Sequence, residues 1–224
     1  MELIDQRIYK IRNKIFSSNS YILKDEIDNT CLLIDLGLDI DLIDEELTKL
    51  NLVPLAIIST HGHFDHIGSV SFFKKKYNIP FYLHEADMKI SQSANFYMKV
   101  VKINHKIETP TPDFFFFFLQ QTMTIGNFDL SIYNFPGHSP GSCIIKIDNY
   151  LFSGDIFYKN GLGFESIPRE NKLLLKKSIV EIFGTFDDNN LVLPGHGLSE
   201  YLGNIKQNNV ELNNFISDKS DANA

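Results

Sequence analysis

The chain lacks the marks of several common protein classes. Only two cysteines occur in 224 residues, both within apolar strand-like runs, so a disulfide scaffold is not indicated and Cys31 and Cys143 are expected as free buried thiols. No apolar run approaches the roughly 18 residues of a membrane span, and the acid-bearing start around Glu2 and Asp5 has no signal-peptide core. A cytoplasmic protein without a membrane partner is the expectation. Positive charge is also short: 21 lysines and arginines face 28 acids, a formal net charge of -7 with no basic stripe, which argues against a nucleic-acid partner. Neither a repeat nor a linker interrupts the chain. Its length suits one domain, expected over 1–216 with a frayed tail at 217–224.

What is present is alternating local pattern. Short strand-like runs at 7–12, 20–24 and 31–35 form a meander, and 39–50 follows as a helix whose Ile40, Ile43, Leu47 and Leu50 share one face. Runs at 55–58 and 79–83 predict strands around a helix at 67–77, an alternation that suggests α/β layers. Residues 85–101 have a helical tendency, and the Thr-Pro-Thr-Pro at 109–112 breaks whatever precedes it. Five phenylalanines at 114–118 cannot share one face of a strand or helix; they predict a strand buried on both faces, with a cleft wall or subunit contact as the alternative. Strands are then expected at 128–135, 143–147, 151–152 and 191–193, with helices at 171–183 and 200–216.

Four glycine-bearing turns at strand ends hold a particular set of side chains. Ser59-Thr60-His61-Gly62-His63-Phe64-Asp65-His66 follows the run at 55–58, and Gly62, without a Cβ, suits a tight bend between ligands. Pro136-Gly137-His138-Ser139-Pro140-Gly141-Ser142, Ser153-Gly154-Asp155 and Pro194-Gly195-His196-Gly197 follow in order. Five of the seven histidines lie in these turns, leaving only His84 and His105 elsewhere. Imidazoles and carboxylates without thiolate suit zinc, with iron or manganese as alternatives. Seven candidate ligands exceed what one tetrahedral ion needs. Two divalent ions sharing a carboxylate would use them all, lower the pKa of a bound water and polarise the bond attacked, so the expected reaction is hydrolysis.

The ordered motifs Thr60-His61-Gly62-His63-Phe64-Asp65-His66, the His138 turn, the Asp155 turn and the His196 turn resemble the metallo-β-lactamase superfamily, above all its small glyoxalase-II-like hydrolases. Asn19-Ser20-Tyr21-Ile22 and Ile34-Asp35-Leu36-Gly37 extend the likeness over nearly the whole chain. The resemblance implies an α/β fold of four αβ/βα layers, two mixed sheets flanked by helices, with the site at the edge between the sheets. It also implies that His61, His63 and His138 bind one metal, that Asp65, His66 and His196 bind a second, and that Asp155 bridges them.

The same likeness ranks the substrates. Cysteine-type β-lactamases carry a thiolate at the position of Asp155 and other β-lactamases lack the bridge, which points away from antibiotic hydrolysis. A small thioester of the hydroxyacylglutathione kind, or a related ester, is the expected substrate. Phe164 stands where related short proteins place arginine, leaving Lys159 or Arg169 as basic candidates for a glutathione carboxylate. Lactonases of the superfamily carry a tyrosine three residues after the bridge, and Tyr158 has that spacing; its phenol would donate to the carbonyl oxygen as charge develops. A mononuclear iron persulfide dioxygenase, using the counterparts of His61, His138 and Asp155, and a phosphodiesterase are the alternative activities.

Overall fold

The computed structural model describes residues 1–163 and 169–218. Four strands, β1 (Glu2–Asp5), β2 (Ile8–Arg12), β3 (Asn19–Lys24) and β4 (Thr30–Ile34), pair antiparallel in sequence order. Helix α1 (Ile40–Leu50) then crosses to β5 (Val53–Ile58), parallel to β4, and β6 (Phe81–His84) and β7 (Phe114–Phe116) extend the parallel half. The result is a seven-stranded mixed sheet in the order β1 to β7.

The second sheet has six strands. β8 (Gln120–Ile125), β9 (Phe128–Asn134), β10 (Cys143–Ile147) and β11 (Tyr150–Gly154) form an antiparallel meander. β12 (Leu191–Pro194) joins parallel to β11 after helix α6 (Lys172–Thr185), and the short β13 (Glu200–Tyr201) closes that edge.

Strand alternation explains the layers. In β4, Leu32 and Ile34 enter the core between the sheets, whereas Cys31 and Leu33 face the helical side. Ala56 and Ile58 of β5 also enter the inter-sheet core, while Ile57 turns outward against helices. A strand covered on both faces reads as an unbroken apolar run. α1, α3 (Val70–Tyr77) and α5 (Ala94–Val100) cover the first sheet through Ile43, Leu47, Val70, Phe73, Ala94 and Met98. α6, α7 (Leu202–Asn208) and α8 (Val210–Ser217) cover the second through Ile179, Ile182, Ile205 and Leu212. This is the expected four-layered αβ/βα sandwich. Cys31 and Cys143 are buried free thiols, as anticipated, and burial pushes the Cys31 thiol up to about 12. Among the described residues no helix is long and apolar enough to cross a membrane.

Several expected elements differ. The helix anticipated over 67–77 is two pieces, because α2 (Phe64–Ile67) starts three residues earlier and ends at Gly68 before α3 begins. Residues 85–101 hold a 3-10 turn (Glu85–Asp87), α4 (Met88–Gln92) and α5. The closing helix is broken at Asn209, whose side chain caps α8 by accepting from Leu212 N. Ser217 still belongs to α8, and the rest of the expected tail from 219 lies outside the described residues.

The phenylalanine run is not a strand buried on both faces, and among the described residues none of it lines the cavity that holds His63, His138, Asp155 and His196. β7 is an edge strand of three residues, so only Phe116 reaches the inter-sheet core, while Phe114, Phe117 and Phe118 are exposed.

Candidate metal centre

The candidate ligands stand where strands of both sheets end. His61 follows β5, His63 is the N-cap of α2, and Asp65 and His66 lie in that helix's only turn. His138 is in the β9 to β10 connection, Asp155 follows β11 and His196 follows β12. Backbone bonds join the turns: Cys143 N donates to Thr60 O at 2.9 Å, Gly195 N to Gly154 O at 2.8 Å, and Asn19 N to Gly195 O at 2.7 Å. Tyr21 Oη donates to Pro194 O at 2.6 Å, while Asn19 Nδ2 donates to Pro194 O and Gly197 O, so β3 holds the His196 turn in place.

All seven side chains converge, in two groups. His61, His63 and His138 form one, and Asp65, His66, Asp155 and His196 the other, with the ligand-type atoms of each group within 4.8 Å of one another. Asp155 Oδ2 lies between them, 3.9 Å from His61 Nε2, 3.8 Å from His138 Nε2, and 3.4 Å from Nε2 of both His66 and His196. Asp65 Oδ2 is 3.1 Å from His196 Nε2 and 3.4 Å from His66 Nε2. His84 and His105 stay outside: His84 accepts from Ala86 N at the 3-10 turn, and His105 is exposed.

The rear nitrogens of three imidazoles are already occupied. Thr60 Oγ1 gives its proton to Asp35 Oδ2, so His61 Nδ1 is the donor to that hydroxyl at 3.1 Å. His66 Nδ1 donates to Asp35 Oδ2 at 3.1 Å, and His138 Nδ1 donates to Gly163 O at 2.9 Å with Glu170 Oε1 at 3.3 Å. Each bond fixes a tautomer whose front nitrogen carries a lone pair directed inward. His61 Nε2, His66 Nε2 and Asp155 Oδ1 are buried with no hydrogen-bond partner among the described residues, a costly arrangement unless a cation completes it. The donor set therefore fits a dinuclear metal site.

Burial and neighbouring charges act differently on the individual ligands: burial opposes charge on His138, but Glu170 and Asp155 outweigh it and hold that imidazole above its usual range. Burial, then repulsion from neighbouring imidazoles, holds His61 well below the usual imidazole range and His63 down to about 3. Burial also opposes charge on His66 and His196, but Asp155 and Asp65 outweigh it, raising His66 and taking His196 up to about 10. His66 in turn overcomes burial at Asp65 and Asp155 and holds both below the carboxylate range. Carboxylates thus concentrate negative potential in the second group, where a cation compensates it.

A family model described as the metallo-beta-lactamase superfamily matches residues 14–210. The chain belongs to that superfamily. It is 32% identical over 209 residues to the probable metallo-hydrolase YqgX of Bacillus subtilis (strain 168), across 88% of this chain and 93% of the relative. It is 25% identical over 201 residues to the hydroxyacylglutathione hydrolase GloC of Haemophilus influenzae, across 88% and 94%. The solved structure of BLEG-1, a B3 metallo-beta-lactamase, superposes with a TM-score of 0.79 at 29% identity, covering 92% of this chain and 99% of that one.

Within this superfamily member, two supporting residues escaped the sequence reading in their structural roles. Asp35, noted there only as part of a matching stretch, accepts from Thr60 N, Thr60 Oγ1 and His66 Nδ1. Its φ of 53°, directly after the apolar β4, is a local signal of a special position. Asp87 is fully buried and accepts from Gly62 N at 2.8 Å, Gly141 N at 2.7 Å and Ser139 Oγ at 2.6 Å, buttoning two ligand turns together. It also corrects the reason for Gly62. A Cβ there would stand 2.8 Å from Asp87 O, and one on Gly141 2.7 Å from Asp87 Cγ, so close approach rather than a tight bend requires glycine.

Tyr158 lines the cavity above the centre, its ring edge-on to His196 with centroids 6.0 Å apart. Lys159 is engaged by Glu200 at 2.8 Å. Arg169 is exposed, and Phe164 lies outside the described residues.

Proposed function

We propose that this chain is a binuclear metal-dependent hydrolase of a small thioester or related ester, akin to hydroxyacylglutathione hydrolases. In this reading His61, His63 and His138 hold one ion, Asp65, His66 and His196 the other, and Asp155 both. The observation that carries it is the position of Asp155 Oδ2, within 3.9 Å of imidazole nitrogens from both groups. The complete second group favours two ions over the mononuclear iron site of a persulfide dioxygenase. Zinc is the first choice for such a donor set, with iron next.

Bound there, the ions supply a water acidified towards neutrality and polarise the carbonyl. The chain's own groups do the rest. Asp35, Gly163 and Glu170 fix the ring orientations from behind. Asp65, whose Oδ2 faces Nε2 of both His66 and His196, is assigned a catalytic part as a carboxylate that would hold the second ion. Tyr158, beside His196, is assigned as donor of its phenol proton to the carbonyl oxygen as negative charge builds there. The name of the relative GloC supports the thioester class, and that of BLEG-1 brings β-lactams into the test.

Metal quantification on purified protein, beside rates on S-lactoylglutathione, a lactone, a β-lactam and a persulfide with oxygen uptake recorded, tests the proposal. Two ions per chain with thioester or ester turnover support it. One iron with oxygen consumption, or turnover confined to the β-lactam, overturns it.

A further inference from the structure

The cavity over the metal centre has a volume of about 610 Å³, within the range that holds a small organic ligand. Its floor is the candidate ligand set. Its walls are apolar, formed by Phe16, Phe64, Phe96, Tyr97, Val100 and Val101. Among the described residues no lysine or arginine lines it.

Two features of these walls are not explained by folding. Helix α5 buries Ala94 and Met98 in the core, so its other face should be polar if it met only water. Instead Phe96 is 65% exposed, and Val100, one turn on, is 60% exposed; Val101, just past the helix end and one turn beyond Tyr97, is 45% exposed. Phe16, which also lines the cavity, is 45% exposed and has a φ of 66°, with Ser17 following at 56°. A bulky residue in the left-handed region is strained, and such strain persists where it serves a site. The Phe16 ring stands edge-on to Phe64 at 5.0 Å and to His196 at 6.4 Å, so this backbone sets an aromatic lip directly beside the centre.

We infer that the preferred substrate is a neutral thioester or ester carrying an uncharged apolar acyl chain, seated against the α5 wall and Phe16. The inference rests on the hydrolase reading above and specifies its substrate. A tripeptide thiol with two carboxylates would find no cationic partner on these walls, whereas each methylene laid on them leaves water. Full burial of a methylene is worth about fourfold in kcat/KM, and burial against a half-open wall about twofold.

The test uses the zinc-loaded full chain and thioesters of N-acetylcysteamine with acetyl, butyryl, hexanoyl and octanoyl chains, beside S-lactoylglutathione. From acetyl to octanoyl, six methylenes, kcat/KM is expected to rise roughly 30- to 100-fold, and octanoyl to exceed S-lactoylglutathione. The double variant Phe96→Ser, Val100→Ser should lose more than half of the logarithmic slope. Both side chains are mostly exposed, so metal content and melting temperature serve as controls that the variant is folded. A flat chain-length profile with measurable turnover, or an unaltered slope in the double variant, overturns the inference and leaves the hydrolase reading standing. No turnover on any member despite two bound ions overturns this inference, and the hydrolase reading falls with it only if the lactone is not hydrolysed either.

Discussion

Asp87 offers the sharpest test of how the centre is held together. It touches no proposed ligand atom, yet its carboxylate joins the turn bearing His61 and His63 to the turn bearing His138 through Gly62 N, Gly141 N and Ser139 Oγ. Burial raises its pKa, so the charge is kept at a cost that those three bonds offset. In Asp87→Ala, the buried amides of Gly62 and Gly141 lose their acceptor, and Ser139 Oγ is left with Ser142 Oγ alone. At about 1–3 kcal/mol for each stranded group, less some relaxation and the relieved cost of the buried charge, the expected loss is about 3–5 kcal/mol.

Asp87→Asn separates the bonds. With its carbonyl oxygen at the Oδ2 position it keeps Gly62 and Ser139 and turns an amide donor towards Gly141 N, so it should lose about 1–3 kcal/mol. Both variants let the two turns drift apart, and a loss of about 10-fold or more in metal affinity follows, as for other groups that orient ligands from behind. Urea unfolding of zinc-loaded protein and competitive zinc titration read the two effects. Wild-type stability within about 1 kcal/mol in Asp87→Ala, together with wild-type zinc affinity, would refute the buttoning role.

Other outcomes follow from the same geometry. Asp155→Ala should abolish turnover and leave fewer than two ions per chain by elemental analysis; full metal and activity would remove Asp155 from the bridge. Tyr158→Phe should lower kcat by about tenfold or more with metal content unchanged under the proposed role of the phenol as donor to the substrate oxygen; an unchanged kcat on a good substrate would end that assignment. Glu200 is held down to about 2 by Lys159, with Asn204 assisting. Its folded pKa is depressed, so the stabilisation is full above about pH 4.5 and fades as pH falls towards 2. The pair is partly solvated, so Lys159→Met should cost no more than about 1 kcal/mol at pH 7, and its melting curves should approach those of wild type only as pH falls to about 2. A difference that persists unchanged in acid would show that the lysine acts by packing instead.

The candidate ligands were legible because each occupies a glycine-bearing strand end, a local pattern that needs no tertiary knowledge. The buried strands β4 and β5 were legible for a similar reason: Cys31 to Ile34 and Ala56 to Ile58 are covered on both faces. Their support was not. Asp87 is one acid in a segment of weak periodicity, and its meaning depends on residues 25 and 54 positions away. Asn209 breaks an apparently continuous helix because its amide also donates to Tyr158 O at 3.0 Å and Gly161 O at 2.8 Å, tying the Tyr158 loop to α8. β1 and β13 are short edge strands defined by their partners alone.

Chemistry and specificity are carried by physically different parts of this molecule. The centre is buried and cross-tied: moving any one turn strands hydrogen-bonding groups on another, so its residues are constrained by stability as well as reaction. Phe16, Phe96, Val100 and Val101 carry no such ties, and three of the four are on or directly after a helix whose inner face already secures it through Ala94 and Met98. Their outer side chains can change at little cost to folding. On the proposed substrate, a substitution there should alter which chain is accommodated above an unchanged centre. Residue types at strand ends therefore announce the reaction, while the substrate is written in exposed side chains whose pattern, met in sequence alone, is indistinguishable from ordinary packing.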